Sequence, residues 1–322
     1  MKEKQKIEYY NSEIKKFFIQ QKKEDRKKWP TPTFLEDLFT KVGEKEFILE
    51  KDLYDFTHED VISFYKSLNT ISVSSLIVIN NIFSNYYFFC LREKYINNLE
   101  NVFTTIHPWE LAKCAVDLVF FDREEILNMC KEGNRLRNES DKVLLLGLYE
   151  GIAGRGYNDL YSLEKMDFHE YSGLYTVILK SGREAEISKE LYNYAMNAIE
   201  EFEYHSYGVN QKVYSYNESV PENEFRVFKS VRPNLPNSIM FIRNHFIKIM
   251  EQWDFNKNDN SVIIQDIIKS GMIWKMKRRI NELNKDFHSY VYSSYFISDM
   301  KKWGYTYQWK GDFFEEFKKY FD

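Results

Sequence analysis

The chain has 322 residues, 43% of them apolar and 29% charged, which is enough for two domains with real cores and excludes a disordered polyelectrolyte. Its 45 Lys and Arg against 49 Asp and Glu give a formal net charge of −4, which does not advertise nucleic-acid binding and leaves any such role to local clusters. With only 12 Gly and 6 Pro the composition predicts a mainly α-helical fold with a small β-hairpin or sheet.

In chain order, residues 5–29 read as a charged amphipathic helix ending at Trp29-Pro30, with ten Lys/Arg against five acids over residues 1–29. Thr33 is placed to cap the next helix, whose buried face is Phe34, Leu35, Leu38, Phe39 and Val42, and Gly43 to close it. Thr57-His58-Glu59-Asp60 forms a capping box, so His58 reads as an exposed first-turn residue and not a ligand. Ser72–Arg92 is a strongly apolar helix suited to the centre of a bundle, and residues 93–110 are the expected interdomain connection.

The pattern restarts at Asp122, with Arg123-Glu124-Glu125-Ile126 opening a helix. The stretch Asp141–Phe168, DKVLLLGLYEGIAGRGYNDLYSLEKMDF, reads as helix, glycine-punctuated turn and second helix, with Arg155 at the corner. Free N–H groups and a helix dipole there suit an anion; a glycine-capped hairpin with a solvated arginine fits the same spacing. Tyr175–Leu179 and Glu184–Ile187 read as a hairpin across Lys180-Ser181-Gly182-Arg183, followed by a helix over Ser188–Phe202. Residues 204–236 read as a long loop with strand fragments. Helices are expected over Ser238–Trp253, Ser261–Asn284 and Tyr290–Trp303, with a short one at Phe313–Phe321. Lys269, Lys275, Lys277, Arg278, Arg279 and Lys285 face only Glu282 within residues 269–285. Such a stripe is either a phosphate-contacting surface or a solvated helix face.

Cys90, Cys114 and Cys130 are widely spaced among apolar residues, as buried thiols in a reducing compartment are. No apolar run reaches membrane-spanning length and MKEKQKIEYYNSEIKK lacks a signal-peptide core, so no membrane partner and a cytoplasmic location are expected. Neither a cofactor nor a metal site is expected.

The order of elements resembles the tyrosine recombinase (phage integrase) family over nearly the whole chain. FTHEDVISFYKSL, SVSSLIVINNIFSNYYFF and INNLENVF are similar to its core-binding domain. FDREEILNMC, DKVLLLGLYEGIAGRGYNDLYSLEKMDF and VILKSGREAEISKEL are similar to the start of its catalytic domain. The resemblance implies a helical core-binding-like DNA-binding domain over residues 1–110 and a catalytic-like domain over 111–322. In the family, a tyrosine attacks a DNA phosphodiester while two arginines, a lysine and a histidine or tryptophan stabilise the transition state. Carried over, the first arginine position falls on Gly156, with Arg155 one residue early. The hairpin lysine falls near Lys180, with Arg183 across the turn.

The His-x-x-Arg-His motif maps to Asp266, Lys269 and Ser270. A carboxylate about 4 Å from the phosphate would oppose the developing charge by roughly 4 kcal/mol at an effective dielectric near 20. Tyr305, Tyr307 and Tyr320 lie where the nucleophile belongs, but none follows a recognisable Leu-Gly-His motif. The resemblance therefore implies a catalytically degraded member with no catalytic residues, similar to prophage repressors of this fold. It would bind double-stranded operator DNA to silence a lytic programme. Its DNA contacts would come from Ser72, Ser74, Ser75, Arg155, Lys180, Arg183, Lys269, Lys275, Arg278 and Arg279. The alternative is an active recombinase with a diverged site, using Tyr305 or Tyr307. The sequence leaves the oligomeric state open, a monomer in solution included.

Overall fold

A computed structural model describes residues 9–24, 30–70, 73–131, 135–207, 211–234, 237–253, 262–305, 307 and 310–321. It divides into two compact units, Met1–Asp117 with Gly311–Phe317, and Leu118–Lys310 with Lys318–Asp322.

The first unit contains α1 (Ser12–Glu24), α2 (Pro32–Leu49), α3 (His58–Ser67), α4 (Val73–Arg92) and α5 (Pro108–Cys114). Its core is aromatic: Phe18 meets Phe39 and Tyr86 edge-on at 5.8 and 5.4 Å, the geometry that ring quadrupoles favour. The Thr57 box forms as expected, with the Asp60 N–H donating to Thr57 Oγ1 and the Thr57 N–H to Asp60 Oδ2. His58 is exposed at the start of α3, and its Nε2 lies 2.8 Å from Glu110 Oε1.

Two details of α2 differ from expectation. Thr31, not Thr33, caps it, because Pro32 supplies a pre-set first helical residue and Thr31 then accepts the Phe34 N–H. Gly43 does not end the helix, which runs to Leu49 and closes at Glu50 in the left-handed region. Gly43 is buried, and the interior position is tolerated because the turn after it carries Glu46 into a buried ion cluster. There the Lys15 ammonium donates to Glu46 at 2.6 Å, Asp52 at 3.0 Å and the Tyr10 carbonyl at 2.7 Å. Residues 93–110 are only partly a connection: Phe103 and Ile106 are buried in this unit's core, and Asn80 donates to the Phe103 carbonyl.

The second unit runs through α6 (Arg123–Lys131), α7 (Glu139–Tyr149), the one-turn α8 (Asn158–Tyr161), β1 (Phe168–Tyr171), β2 (Leu174–Ile178) and β3 (Glu184–Ile187). It continues through α9 (Lys189–Glu200), β4 (Glu203–His205), β5 (Val213–Ser215), α10 (Ser238–Glu251), α11 (Ile264–Leu283), α12 (Phe287–Val291) and α13 (Ser294–Trp303). Helix α14 (Lys310–Phe317) then carries the residues that group with the first unit.

Residues 143–149 of α7 are all buried, as befits a helix surrounded on every side by α6, α9, α10 and α11. Where α7 crosses α11, a Cβ on Gly271 would lie 1.7 Å from the Tyr149 carbonyl oxygen, so only glycine permits the approach. β1, β2 and β3 form an antiparallel sheet, with Tyr175 opposite Ile187 in the expected hairpin. β1 is not among the expected strands, because its period is hidden in a four-residue segment exposed at three positions. The helix expected over Tyr290–Trp303 is two, broken at Tyr292-Ser293, where Ser293 becomes the N-cap residue of α13.

Candidate nucleic-acid interface

The corner after α7 is built differently from the anion-binding turn that its glycines suggest. Gly154 (φ 69°) leaves room for Asp159, whose carboxylate accepts the Ser181 N–H at 2.9 Å and hydroxyl at 2.8 Å. The corner therefore clamps the β2–β3 turn. The second helix is the four-residue α8, too short to offer a useful dipole, and Arg155 stands exposed in the turn before it.

The concentration of charge lies elsewhere in the same unit. A cleft of about 380 Å³ gathers Arg183 from the hairpin with Lys275, Arg278 and Arg279 from α11. Two cations that the sequence did not single out join them, Arg123 at the start of α6 and Lys302 near the end of α13. Arg123 carried one usable signal: a cation in the first turn of a helix opposes the macrodipole and calls for a tertiary partner. Its partners are Glu150 Oε1 at 3.2 Å, Glu190 Oε2 at 3.6 Å and the Trp274 ring, 4.9 Å from the guanidinium carbon.

Beside the cleft, three successive carbonyls at the C-terminal end of α7 each meet a side chain. Tyr305 donates to Tyr149 over a long 3.4 Å, Lys275 to Glu150 at 2.7 Å, and Arg183 to Gly151 at 2.7 Å. These are carbonyls that a helix end leaves unpaired, so the side chains work as its C-terminal cap. Arg183 has a second acceptor, the Lys302 carbonyl at 3.0 Å, and a Cβ on Gly304 would come within 2.5 Å of its guanidinium. Burial pulls Lys275 down to about 8, with the Glu150 charge holding it up. Burial likewise lowers Arg183, against the pull of Asp159.

The rim is more open. Arg278 is exposed, 3.5 Å from Glu282, with its guanidinium carbon 5.7 Å from the Trp274 ring centre. Lys302 is exposed and 3.8 Å from Glu186. Arg279 is held between Glu282 and Asp299, both at 3.1 Å, which raises its already high affinity for a proton.

The other expected contact residues lie outside this cleft. Lys180 is exposed on the hairpin turn and Lys269 is partly buried on α11. Ser74 and Ser75 are in the first turn of α4, in the other unit, and Ser72 falls outside the described residues. Asp266 does not face the cleft, and this corrects the repulsion argument. Its buried carboxylate accepts the Ile263 N–H at 2.8 Å and the Val119 N–H at 3.3 Å, and burial raises its proton affinity. Ser270 accepts the Phe121 N–H in the same seam. The carboxylates that do line the cleft are Glu150, Glu186, Glu282 and Asp299.

Of the tyrosines in the nucleophile region, burial pushes the Tyr305 phenol well above its ordinary range. Tyr307 packs against Phe296 at 4.8 Å, and Tyr320 accepts the Leu118 N–H at 3.0 Å. Among the described residues, Cys90, Cys114 and Cys130 are buried free thiols, no acid–histidine–cysteine group could hold a metal, and no helix is long and apolar enough to cross a membrane.

Residues 120–315 match the family described as the MrpR C-terminal catalytic domain, and residues 9–93 the MrpR N-terminal core-binding domain. The SPbeta prophage-derived uncharacterized protein YopR of Bacillus subtilis (strain 168) is 27% identical over 201 residues, covering 61% of this chain and 59% of that relative's length. Among solved structures, a lambda integrase(75–356) dimer bound to a COC' core site matches with a TM-score of 0.45 and 11% identity, over 91% of this chain and 96% of that one.

Proposed function

The chain belongs to the tyrosine-recombinase-like MrpR family, with a core-binding and a catalytic-type domain, and we propose that it binds duplex DNA as a repressor without cutting it. One observation carries this reading: Lys275 and Arg183, the half-buried cations of the cleft, are engaged with the carbonyls that end α7. Bracing a transferring phosphoryl group takes donors aimed at its oxygens and ready before the reaction. Here those donors cap a helix. The Tyr305 hydroxyl points to a carbonyl as well, and burial opposes formation of the phenolate that would attack.

The rim keeps what DNA binding needs. Exposed Arg278 and Lys302, together with Arg155 and Lys180, offer solvent-facing cations for backbone phosphates, and phosphate contacts supply most non-specific affinity. Trp274, flanked by Arg123 and Arg278, gives the surface a rigid aromatic element. Sequence reading belongs in this scheme to the core-binding unit, with Ser74 and Ser75 on α4 as candidates. The relative is prophage-derived, and we extend the reading to operator sites of a prophage lytic programme in the host cytoplasm.

The test is a nicked suicide duplex carrying a footprinted binding site. Salt-sensitive binding with no covalent protein–DNA adduct is expected. An adduct that disappears in Tyr305→Phe or Tyr307→Phe would overturn the reading in favour of an active recombinase, and absence of duplex binding at low salt would remove the DNA role.

A further inference from the structure

We infer that Glu150 is a built-in anion: its carboxylate fills a phosphate subsite of the cleft, and removing it opens that subsite to inorganic phosphate and to a DNA phosphate. The donors around it form the set that a phosphate would use. Arg123 Nη1 reaches Oε1 at 3.2 Å, the Ser188 hydroxyl reaches Oε1 at 2.5 Å, and the Ser188 N–H reaches Oε2 at 2.8 Å. Ser188 is the N-cap of the twelve-residue α9, so the positive end of a helix dipole adds to a guanidinium, a hydroxyl and an amide. Glu150 is only 4% exposed, yet it borders the open cleft, so the pocket that it fills is reachable from solvent once vacated.

Charge balance explains why an anion must be there. Glu150, Arg123, Arg183 and Lys275 all line one cleft, and the last two are buried enough to lose proton affinity. Without Glu150 these three cations would keep only more peripheral carboxylates, such as Glu190 at 3.6 Å from Arg123, and would lose the buried one that lies among them. A tethered carboxylate is present at high effective concentration, so free phosphate at millimolar levels does not displace it. On the reading of the cleft as a DNA surface, this tethered anion keeps a DNA phosphate at the rim. It also keeps the complex weaker and more readily reversed than the cation count suggests.

Inorganic phosphate is the probe, followed by ³¹P line width in the presence of the full chain. The wild type is expected to leave the phosphate line unchanged at millimolar concentration, and Glu150→Ala, which empties the subsite, to broaden it. In parallel, Glu150→Ala is expected to bind duplex about tenfold more tightly at equal salt, with a salt slope steeper by about one. Broadening by the wild type, or a folded Glu150→Ala that neither broadens the line nor tightens on DNA, overturns the inference. Should Glu150→Ala not fold, Glu150→Ser is melted in phosphate and in chloride of equal ionic strength. A phosphate-specific gain in melting temperature beyond that of the wild type supports an anion-shaped vacancy, and its absence overturns it. A wild type that fails to bind duplex defeats the DNA reading, whereas the phosphate measurements stand independently of it.

Discussion

The Lys275 ammonium lies 2.7 Å from the backbone carbonyl of Glu150, so a cation on α11 caps the helix that forms the floor of the cleft. A lysine used in this way should announce itself through pH. Burial brings it to about 8, whereas the unfolded chain keeps the ordinary value of 10.5. Between those values the unfolded chain holds a proton that the folded one has released, so this group makes stability rise with pH from about 8 to 10.5. Lys275→Met should flatten that rise by about 1–3 kcal/mol, compared with the wild type by urea unfolding across the window. Equal pH profiles for the two proteins would contradict the buried-cap description.

DNA affinity should follow the rim and not the floor. Arg278→Ala and Lys302→Ala are each expected to weaken binding to every duplex and to reduce the slope of log K against log salt by about 0.9. Lys275→Met should change the slope far less. Fluorescence anisotropy between 50 and 200 mM salt, on the order used for such contacts, distinguishes the two groups. A larger loss from Lys275→Met than from the rim pair would mean that DNA reaches the floor.

In the first unit, Lys15 is fully buried between Glu46 and Asp52. Removing one member of a buried charge cluster leaves its partners uncompensated, and burial already pushes Glu46 up to about 7 despite the lysine. Lys15→Met should cost about 3–5 kcal/mol, read as a lowered urea midpoint. A near-neutral effect would show that the two carboxyls accommodate its loss by taking up a proton.

Glu201 provides a pH leg of opposite sign. Its Oε1 accepts the Glu139 N–H at the start of α7, and burial raises it to about 7 from an ordinary 4.5. Between those values the folded chain holds a proton that the unfolded one has lost, so this group's contribution to stability declines as pH rises from about 4.5 to 7. Glu201→Gln should remove that decline, worth about 1–3 kcal/mol, while keeping an acceptor for Glu139. Parallel pH profiles for variant and wild type would rule it out.

Much of the helical order was readable because its signals are local. The Thr57 box, the apolar run before Gly151 and the hairpin around Gly182 depend on residues within a few positions of one another. What escaped depends on partners far along the chain. Gly43 looks like a helix stop until the buried Lys15–Glu46 pair is seen, and Arg123 looks like a helix opener until Glu150 and Trp274 surround it. Four of the expected contact residues, Arg183, Lys275, Arg278 and Arg279, do converge. The motif-by-motif placement put Asp266 beside the phosphate, whereas Asp266 and Ser270 hold the backbone N–H groups of Val119 and Phe121. The cleft begins a turn and more further along the same helix.

Gly271 sets the crossing of α7 and α11 on a backbone atom, with no side chain at that point of contact to act as a cushion. The floor carried by α7 and the wall carried by α11 therefore move as one piece, and the cationic surface exists before any ligand arrives. Recognition by such a surface involves little rearrangement. Encounter rates should be governed by charge steering, and differences in affinity between one DNA site and another should reside in how long the complex lasts.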